Sequence, residues 1–103
     1  MFVQISTDNQ IKSDAEANAR IEERVRTKLR RFEQRLSHVE LHVSDLNGHK
    51  GGDDDKRVSL EVRPNGHDPI AVHADSHRVD TAVTMATDKA IRALDHALAK
   101  PRH

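Results

Sequence analysis

The spacing of the apolar residues changes along this chain, and that change restricts its possible folds more than any other feature. Over residues 15–36, apolar residues recur every three or four positions, which is the period of one helix face. They are Ile21, Val25, Leu29, Phe32 and Leu36. We therefore expect an amphipathic helix over residues 15–36, with Ser13 as its N-cap and Glu16 completing a capping box.

Alternating apolar and polar residues predict four short strands, one before this helix in the chain and three after it, each with one polar face. Their apolar members are Val3 and Ile5 in the first, Val39, Leu41 and Val43 in the second, Val58, Leu60 and Val62 in the third, and Ile70 and Val72 in the fourth. Residues 46–55 contain three glycines and a run of aspartates, which is typical of a loop. Asn65 and Gly66 predict a hairpin between the last two strands.

A second helix is predicted after the fourth strand, with Asp75 or Ser76 as its cap and Pro101 at its end. Its apolar face consists of Val79, Ala82, Val83, Ala86, Ala90, Ala93, Leu94 and Ala97. The element order is β-α-β-β-β-α, so we expect one α+β domain over residues 1–103. It has a four-stranded, antiparallel-rich sheet with two helices packed on one face.

Composition and motifs exclude several classes of function. The chain has no cysteine, which excludes disulfides, thiolate zinc sites and cysteine nucleophiles. It has no long apolar run and no signal peptide, so we expect a soluble, cytoplasmic protein with no membrane partner. No nucleophile elbow, phosphate loop or dinucleotide fingerprint is present, so we expect no enzyme and no cofactor. His49 and the nearby aspartates lack the spacing of a calcium loop, so no metal site is predicted.

Charge is balanced over the whole chain but not along it, with 17 basic (Lys and Arg) and 17 acidic residues. Residues 20–36 carry seven basic and three acidic side chains, whereas residues 44–55 carry one basic and four acidic ones. At about 100° per residue, each helix has a basic flank separate from its own carboxylates. The candidate RNA-binding residues are Arg20, Arg24, Lys28, Arg31 and Arg35 on the first helix, and Arg78, Lys89, Arg92 and Lys100 on the second.

The aromatic content indicates how RNA would be bound. Phe2 and Phe32 are the only aromatic residues, and with no exposed aromatic expected, base stacking on single strands is disfavoured. Contacts to phosphates and 2′-hydroxyl groups of structured RNA suit arginine-rich helices better. The chain has no helix-turn-helix or basic zipper pattern, so no DNA partner is expected.

Several short segments, which together span roughly residues 2–99, are similar to those of a known protein family. They are STDN at 6–9, RVRTKLRRF at 24–32, VELHVSD at 39–45, KGGDDDKR at 50–57, and the stretch at 82–94 that contains AV, DK and RAL. Together they resemble the ribosome hibernation promoting factor family, which includes the ribosome-associated inhibitor and the sigma-54 modulation proteins. Because the chain stops at His103, it resembles the short type of that family.

The resemblance implies a β-α-β-β-β-α domain without enzymatic activity that binds the small ribosomal subunit and its rRNA. It implies a position between head and body, in the channel of mRNA and tRNA, where the protein inhibits translation in stationary phase or stress. Carried over by position, the rRNA contacts would come from Arg24, Lys28 and Arg31 on the first helix and from Lys89 and Arg92 on the second.

Two alternatives remain open from the residues alone. One is a regulator that binds a partner protein through Asp53, Asp54 and Asp55 or through the polar sheet face. That face would carry Glu40, His42, Arg57, Ser59, Glu61, Arg63 and His73. The other is a general binder of structured RNA, which would bind any long duplex tightly.

Overall fold

The element order β-α-β-β-β-α is confirmed in a computed structural model of the chain, which describes residues 1–8, 15–46 and 56–99. The elements are β1 (Phe2–Thr7), α1 (Ala15–Lys28), a 3₁₀ helix (Arg30–Arg35), β2 (Leu36–Asp45), β3 (Lys56–Pro64), β4 (Ile70–Ser76) and α2 (Val79–Leu98). Some predicted features lie outside the described residues. They are the N-cap Ser13, the acidic residues Asp53, Asp54 and Asp55, and Lys100 with Pro101.

The four strands form one sheet in the order β1-β2-β3-β4. β1 is parallel to β2, and the other two pairs are antiparallel, as the prediction of an antiparallel-rich sheet requires. α1 packs near β1, while α2 packs on β3 and β4. β1 and β4 are the two edge strands, and their C-terminal residues lie at the same end of the sheet, where the register pairs Thr7 with Val43 and Lys56 with Ser76. Both helices return from that end and therefore run parallel to each other.

The core lies between the sheet and the two helices. Val39, Leu41 and Val43 of β2 are buried there, and Val58, Leu60 and Val62 of β3 lie beside them. Alanines on α2 are fully buried and allow that helix to approach the sheet closely. No helix within the described ranges is long and apolar enough to cross a membrane.

Thr87 is a core residue that the apolar pattern did not predict, and it is completely buried. Its hydroxyl donates a hydrogen bond of 2.6 Å to the carbonyl oxygen of Val83, one turn earlier. This bond satisfies the donor, so burial of the polar group carries little penalty. The residue lies on the same helical stripe as Val83, Ala90 and Leu94, and this spacing is the signal that would have revealed it.

The first helix ends earlier than predicted, at Lys28 rather than at Leu36. At Leu29 the backbone leaves the helical region, with φ −96° and ψ 11°. The Phe32 N–H then donates to the Leu29 carbonyl at 2.9 Å, the i→i+3 bond of a 3₁₀ helix. Since residues three apart are aligned in a 3₁₀ helix, Leu29 and Phe32 both remain buried while the chain turns into β2.

The start of α2 also differs from the prediction, because neither Asp75 nor Ser76 caps it. Arg78 is the N-cap, and it makes no capping hydrogen bond with its side chain. The Ser76 hydroxyl accepts the Arg78 N–H at 3.3 Å, just before the helix begins. The Asp75 carboxylate instead accepts two hydrogen bonds from Arg57, its cross-strand neighbour.

Candidate RNA-binding surface

Two basic side chains of α1 reach across to α2. The Arg24 guanidinium donates to the Thr84 hydroxyl at 3.3 Å and to the Asp80 carbonyl oxygen at 3.4 Å. One turn later, the Lys28 ammonium lies 2.6 Å from the Asp88 carboxylate. The partners advance in the same direction along both helices, as expected for two parallel helices packed side by side.

A third contact continues this series beyond the end of α1. Arg31, in the 3₁₀ helix, donates two hydrogen bonds of 2.8 Å to the two carboxylate oxygens of Asp95. Its guanidinium carbon also lies 4.2 Å from the centre of the Phe32 ring, a cation–π contact. The contacts of Arg24, Lys28 and Arg31 with α2 are called the cross-helix ladder below.

The cross-helix ladder shows a relation that the sequence left open. A helical wheel separates each basic flank from the carboxylates of the same helix, but it does not describe the neighbouring helix. In the structure, Asp88 and Asp95 lie on the flank of α2 that faces the basic flank of α1. Arg24 is different, since its partners on α2 are a hydroxyl and a carbonyl and carry no charge.

The other candidate residues differ in how they are held. Arg20 lies 3.8 Å from Glu16 on the exposed side of α1. The Lys89 ammonium donates to the His73 carbonyl oxygen at 2.8 Å, and so joins α2 to β4. The arginines without a side-chain partner among the described residues are Arg30, Arg35, Arg78 and Arg92, all of them exposed.

Arg30 was not among the predicted residues. The helical wheel places it away from the basic flank, because it assumes that α1 continues past Lys28. In the structure Arg30 begins the 3₁₀ helix, where this wheel no longer applies. The pair of adjacent arginines, Arg30 and Arg31, is the signal in the sequence that could have identified it.

Hydrogen bonding shifts the pKa values of Arg31 and Asp95, the last pair of the ladder. The two bonds from Arg31 hold the pKa of the Asp95 carboxyl below its usual range, and the same bonds raise the pKa of Arg31. Both side chains remain exposed to solvent, by 60% for Arg31 and 51% for Asp95. Exposed ion pairs contribute little to stability, so another anion can take the place of the carboxylate. A phosphate offers Arg31 the same two-oxygen geometry.

The opposite face of the sheet carries the polar residues that the alternation predicted. Its charges are neutralised locally, since Arg57 pairs with Asp75 and Arg63 pairs with Glu61 at 2.8 Å each. Local neutralisation leaves this face less suited to RNA phosphates than the helices are.

His42 and His73 on this sheet face lie on strands that β3 separates. His42 and His73 both lie opposite Ser59 of β3, one on each side. The His42 imidazole lies 2.8 Å from the Ser6 hydroxyl. Among the residues that the structure describes, no three histidine or carboxylate side chains form a group that could hold a metal ion.

Phe2 contradicts the expectation that no aromatic ring is exposed. Its side chain is 57% exposed at the edge strand β1. The ring centre lies 5.2 Å from that of His38, its neighbour in the register. A single aromatic ring beside a histidine offers much less area for base stacking than the several aromatic side chains of proteins that bind single strands.

The comparisons with known proteins agree with this architecture. Residues 4–102 match the sequence model of the family described as sigma 54 modulation protein / S30EA ribosomal protein. The chain belongs to this family. Membership in the S30EA family indicates a ribosome-associated protein. No curated protein sequence matches the chain.

Two solved structures show the same fold. A ribosomal subunit interface protein from Coxiella burnetii superposes with a TM-score of 0.74 at 18% identity, covering 97% of this chain and 100% of that one. The N-terminal domain of Thermus thermophilus Protein Y superposes with a TM-score of 0.72 at 16% identity, covering 93% and 98%. These similarities confirm the predicted α+β fold for the S30EA family member described here.

Proposed function

We propose that this protein binds the small ribosomal subunit through rRNA phosphates contacted by α1, the 3₁₀ helix and α2. The proposal rests above all on the parallel packing of the two helices, which puts the basic residues of α1, the 3₁₀ helix and α2 in one layer on the same side of the sheet. The proposed contacts are Arg20, Arg24, Lys28, Arg31, Arg35, Arg78, Lys89 and Arg92, together with Lys100 beyond the described residues.

The charge balance of this layer supports a polyanionic partner. The cross-helix ladder holds three cations against two carboxylates, so pairing does not neutralise it. Arg30, Arg35, Arg78 and Arg92 add cations that have no side-chain partner among the described residues. Each phosphate that these side chains neutralise releases condensed counterions, which drives binding and makes it dependent on salt.

Binding alone suffices to inhibit translation if the protein lies in the channel of mRNA and tRNA. The domain then excludes both RNAs by its volume, and no catalytic group is required. Such a protein acts as a hibernation factor, which keeps cytoplasmic ribosomes inactive in stationary phase or under stress. The family description supports the coarser part of this proposal, which is association with the ribosome.

Co-sedimentation with purified small subunits, across a salt series and with duplex RNA as competitor, tests the proposal. The wild type should bind despite the competitor and should dissociate steeply as salt rises. In R24Q/K28Q/R31Q, the slope of log K against log salt should fall by about 2–3, because up to three phosphate contacts are lost. The variant R26Q/R57Q/R63Q removes three arginines elsewhere and should retain most of the wild-type slope.

Two results would count against the proposal. If R24Q/K28Q/R31Q sediments with subunits as the wild type does, the basic helices are not the contact surface. If the wild type fails to bind at low salt, the subunit is not the partner. Occupancy of the channel is tested separately, since subunits already loaded with an mRNA fragment and tRNA should exclude the protein.

A further inference from the structure

Two carboxylates lie within the surface proposed to bind RNA, where negative charge opposes that function. Asp88 pairs with the Lys28 ammonium, and Asp95 accepts hydrogen bonds from Nη1 and Nη2 of Arg31. Each carboxylate therefore occupies the position from which a phosphate would contact the same cation. Asp88 is 45% exposed and Asp95 is 51% exposed, so RNA can reach both pairs.

The spacing of these carboxylates determines which ligand can displace them. Asp88 and Asp95 are seven residues apart on α2, which corresponds to about 10 Å along the helix axis. While Lys28 and Arg31 stay where these carboxylates hold them, one phosphate cannot contact both. A ligand must present two phosphates to release both cations from their carboxylates.

We propose that Asp88 and Asp95 are specificity residues. They hold Lys28 and Arg31 in the free protein, and they are displaced only by matched RNA, which places one phosphate at each of the two cations. The proposal deepens the proposed function and rests on it. An RNA that engages only one cation still meets the repulsion of the remaining carboxylate. An RNA that fits the surface replaces both carboxylates and gains two charge-assisted contacts.

The pairs explain specificity better than they explain stability. Ion pairs between exposed side chains contribute little to folding, so these carboxylates are not needed to hold the helices together. The helices already pack through a buried apolar layer that includes Val25, Val83 and Leu94. Repulsion of a poorly matched partner, by contrast, is a direct way for a charged surface to discriminate between ligands.

A charge-matched pair of variants tests the proposal. D88N/D95N removes both carboxylates and frees Lys28 and Arg31. The control E22Q/E61Q also removes two negative charges, and it frees Arg26 and Arg63 from ion pairs of 2.9 and 2.8 Å outside the ladder. Both variants thus change the net charge equally, and only the position of the released cations differs.

The affinity for a non-ribosomal RNA duplex is the decisive measurement, with small subunits as the second ligand. D88N/D95N should bind the duplex about tenfold more tightly than the wild type, because two phosphate contacts no longer compete with a carboxylate. Its affinity for subunits should change less, so discrimination falls. The control should bind the duplex within about threefold of the wild type.

Equal gains in the two variants would overturn the proposal, since net charge alone would then explain them. No gain in D88N/D95N would overturn it as well. NMR on the wild type provides an independent test: in its complex with saturating duplex, the pKa of the Asp95 carboxyl should stay below its ordinary value, because a poorly matched RNA does not separate Arg31 from Asp95. A rise of this pKa towards its ordinary value would show that an unmatched RNA displaces the carboxylate, and it would refute the specificity role.

The two proposals fail in different ways. If the wild type does not bind small subunits but D88N/D95N gains more duplex affinity than its control, the proposed function is wrong and the role of the carboxylates stands. If the wild type binds subunits but the two variants bind the duplex equally, the function stands and the specificity role is wrong.

Discussion

The Arg31 guanidinium forms two hydrogen bonds of 2.8 Å with the Asp95 carboxylate and joins segments that are 64 residues apart. The same guanidinium lies over the ring of Phe32, which restricts its orientation. A planar guanidinium held in this orientation can bind any anion that presents two oxygens in its plane. The pair therefore links the packing of the helices to the chemistry of the proposed RNA surface.

The first prediction concerns the pH dependence of stability. The pKa of Asp95 is lower in the folded protein than its ordinary value, so its stabilising effect is present above the unfolded pKa and is lost as pH falls through the folded pKa. In urea unfolding, the wild type should be slightly more stable than D95N at pH 7, and the difference should shrink as pH falls below the ordinary range of a carboxyl pKa. Asp68 is exposed and has no ion pair among the described residues, so D68N should show a much smaller change.

The second prediction concerns the junction between α1 and the 3₁₀ helix. Leu29 is fully buried there, so Leu29→Ala should leave a cavity and lower the free energy of unfolding by about 2–5 kcal/mol. Chemical denaturation measures this loss. Leu46→Ala is the matched control, because Leu46 is 46% exposed and its truncation should cost less than about 0.5 kcal/mol.

The third prediction concerns the hairpin between β3 and β4, which forms at the predicted Asn65 and Gly66. Gly66 has φ 78°, and the His67 N–H closes the turn on the Pro64 carbonyl at 3.2 Å. Gly66→Ala should destabilise the protein by about 1 kcal/mol, because a Cβ disfavours positive φ. Gly66→Asn should be better tolerated, and thermal unfolding of both variants compares them. Equal stability of the wild type and Gly66→Ala would contradict this view of the turn.

The fourth prediction concerns the buried hydroxyl of α2. Thr87→Val keeps the shape of the side chain and removes only the donor to the Val83 carbonyl, so it should change the free energy of unfolding by less than about 1 kcal/mol. Thr87→Asn enlarges a fully buried side chain and should destabilise the protein by about 1–3 kcal/mol. If the two variants lose the same stability in urea, the pocket around Thr87 is less tightly packed than the structure shows.

The sequence was sufficient to predict the elements in which the spacing of apolar residues alone reveals the buried face. Alternation in β2 and β3 identified the buried face correctly, because neighbouring residues of a strand point to opposite sides of the sheet. The boundary at Lys28 was missed, since a spacing of three between Leu29 and Phe32 fits an α-helix and a 3₁₀ helix equally well. Which one forms depends on where β2 must begin.

By itself, the sequence determined the order of the elements, the face that each one buries, and the basic flank of each helix. Only the tertiary structure decided that Asp88 and Asp95 of α2 face Lys28 and Arg31. A helical wheel gives the direction of a side chain about its own axis, but it contains no information on the neighbouring helix. That relation arises when both helices pack, parallel, on one face of the same sheet, through contacts between residues far apart in the chain.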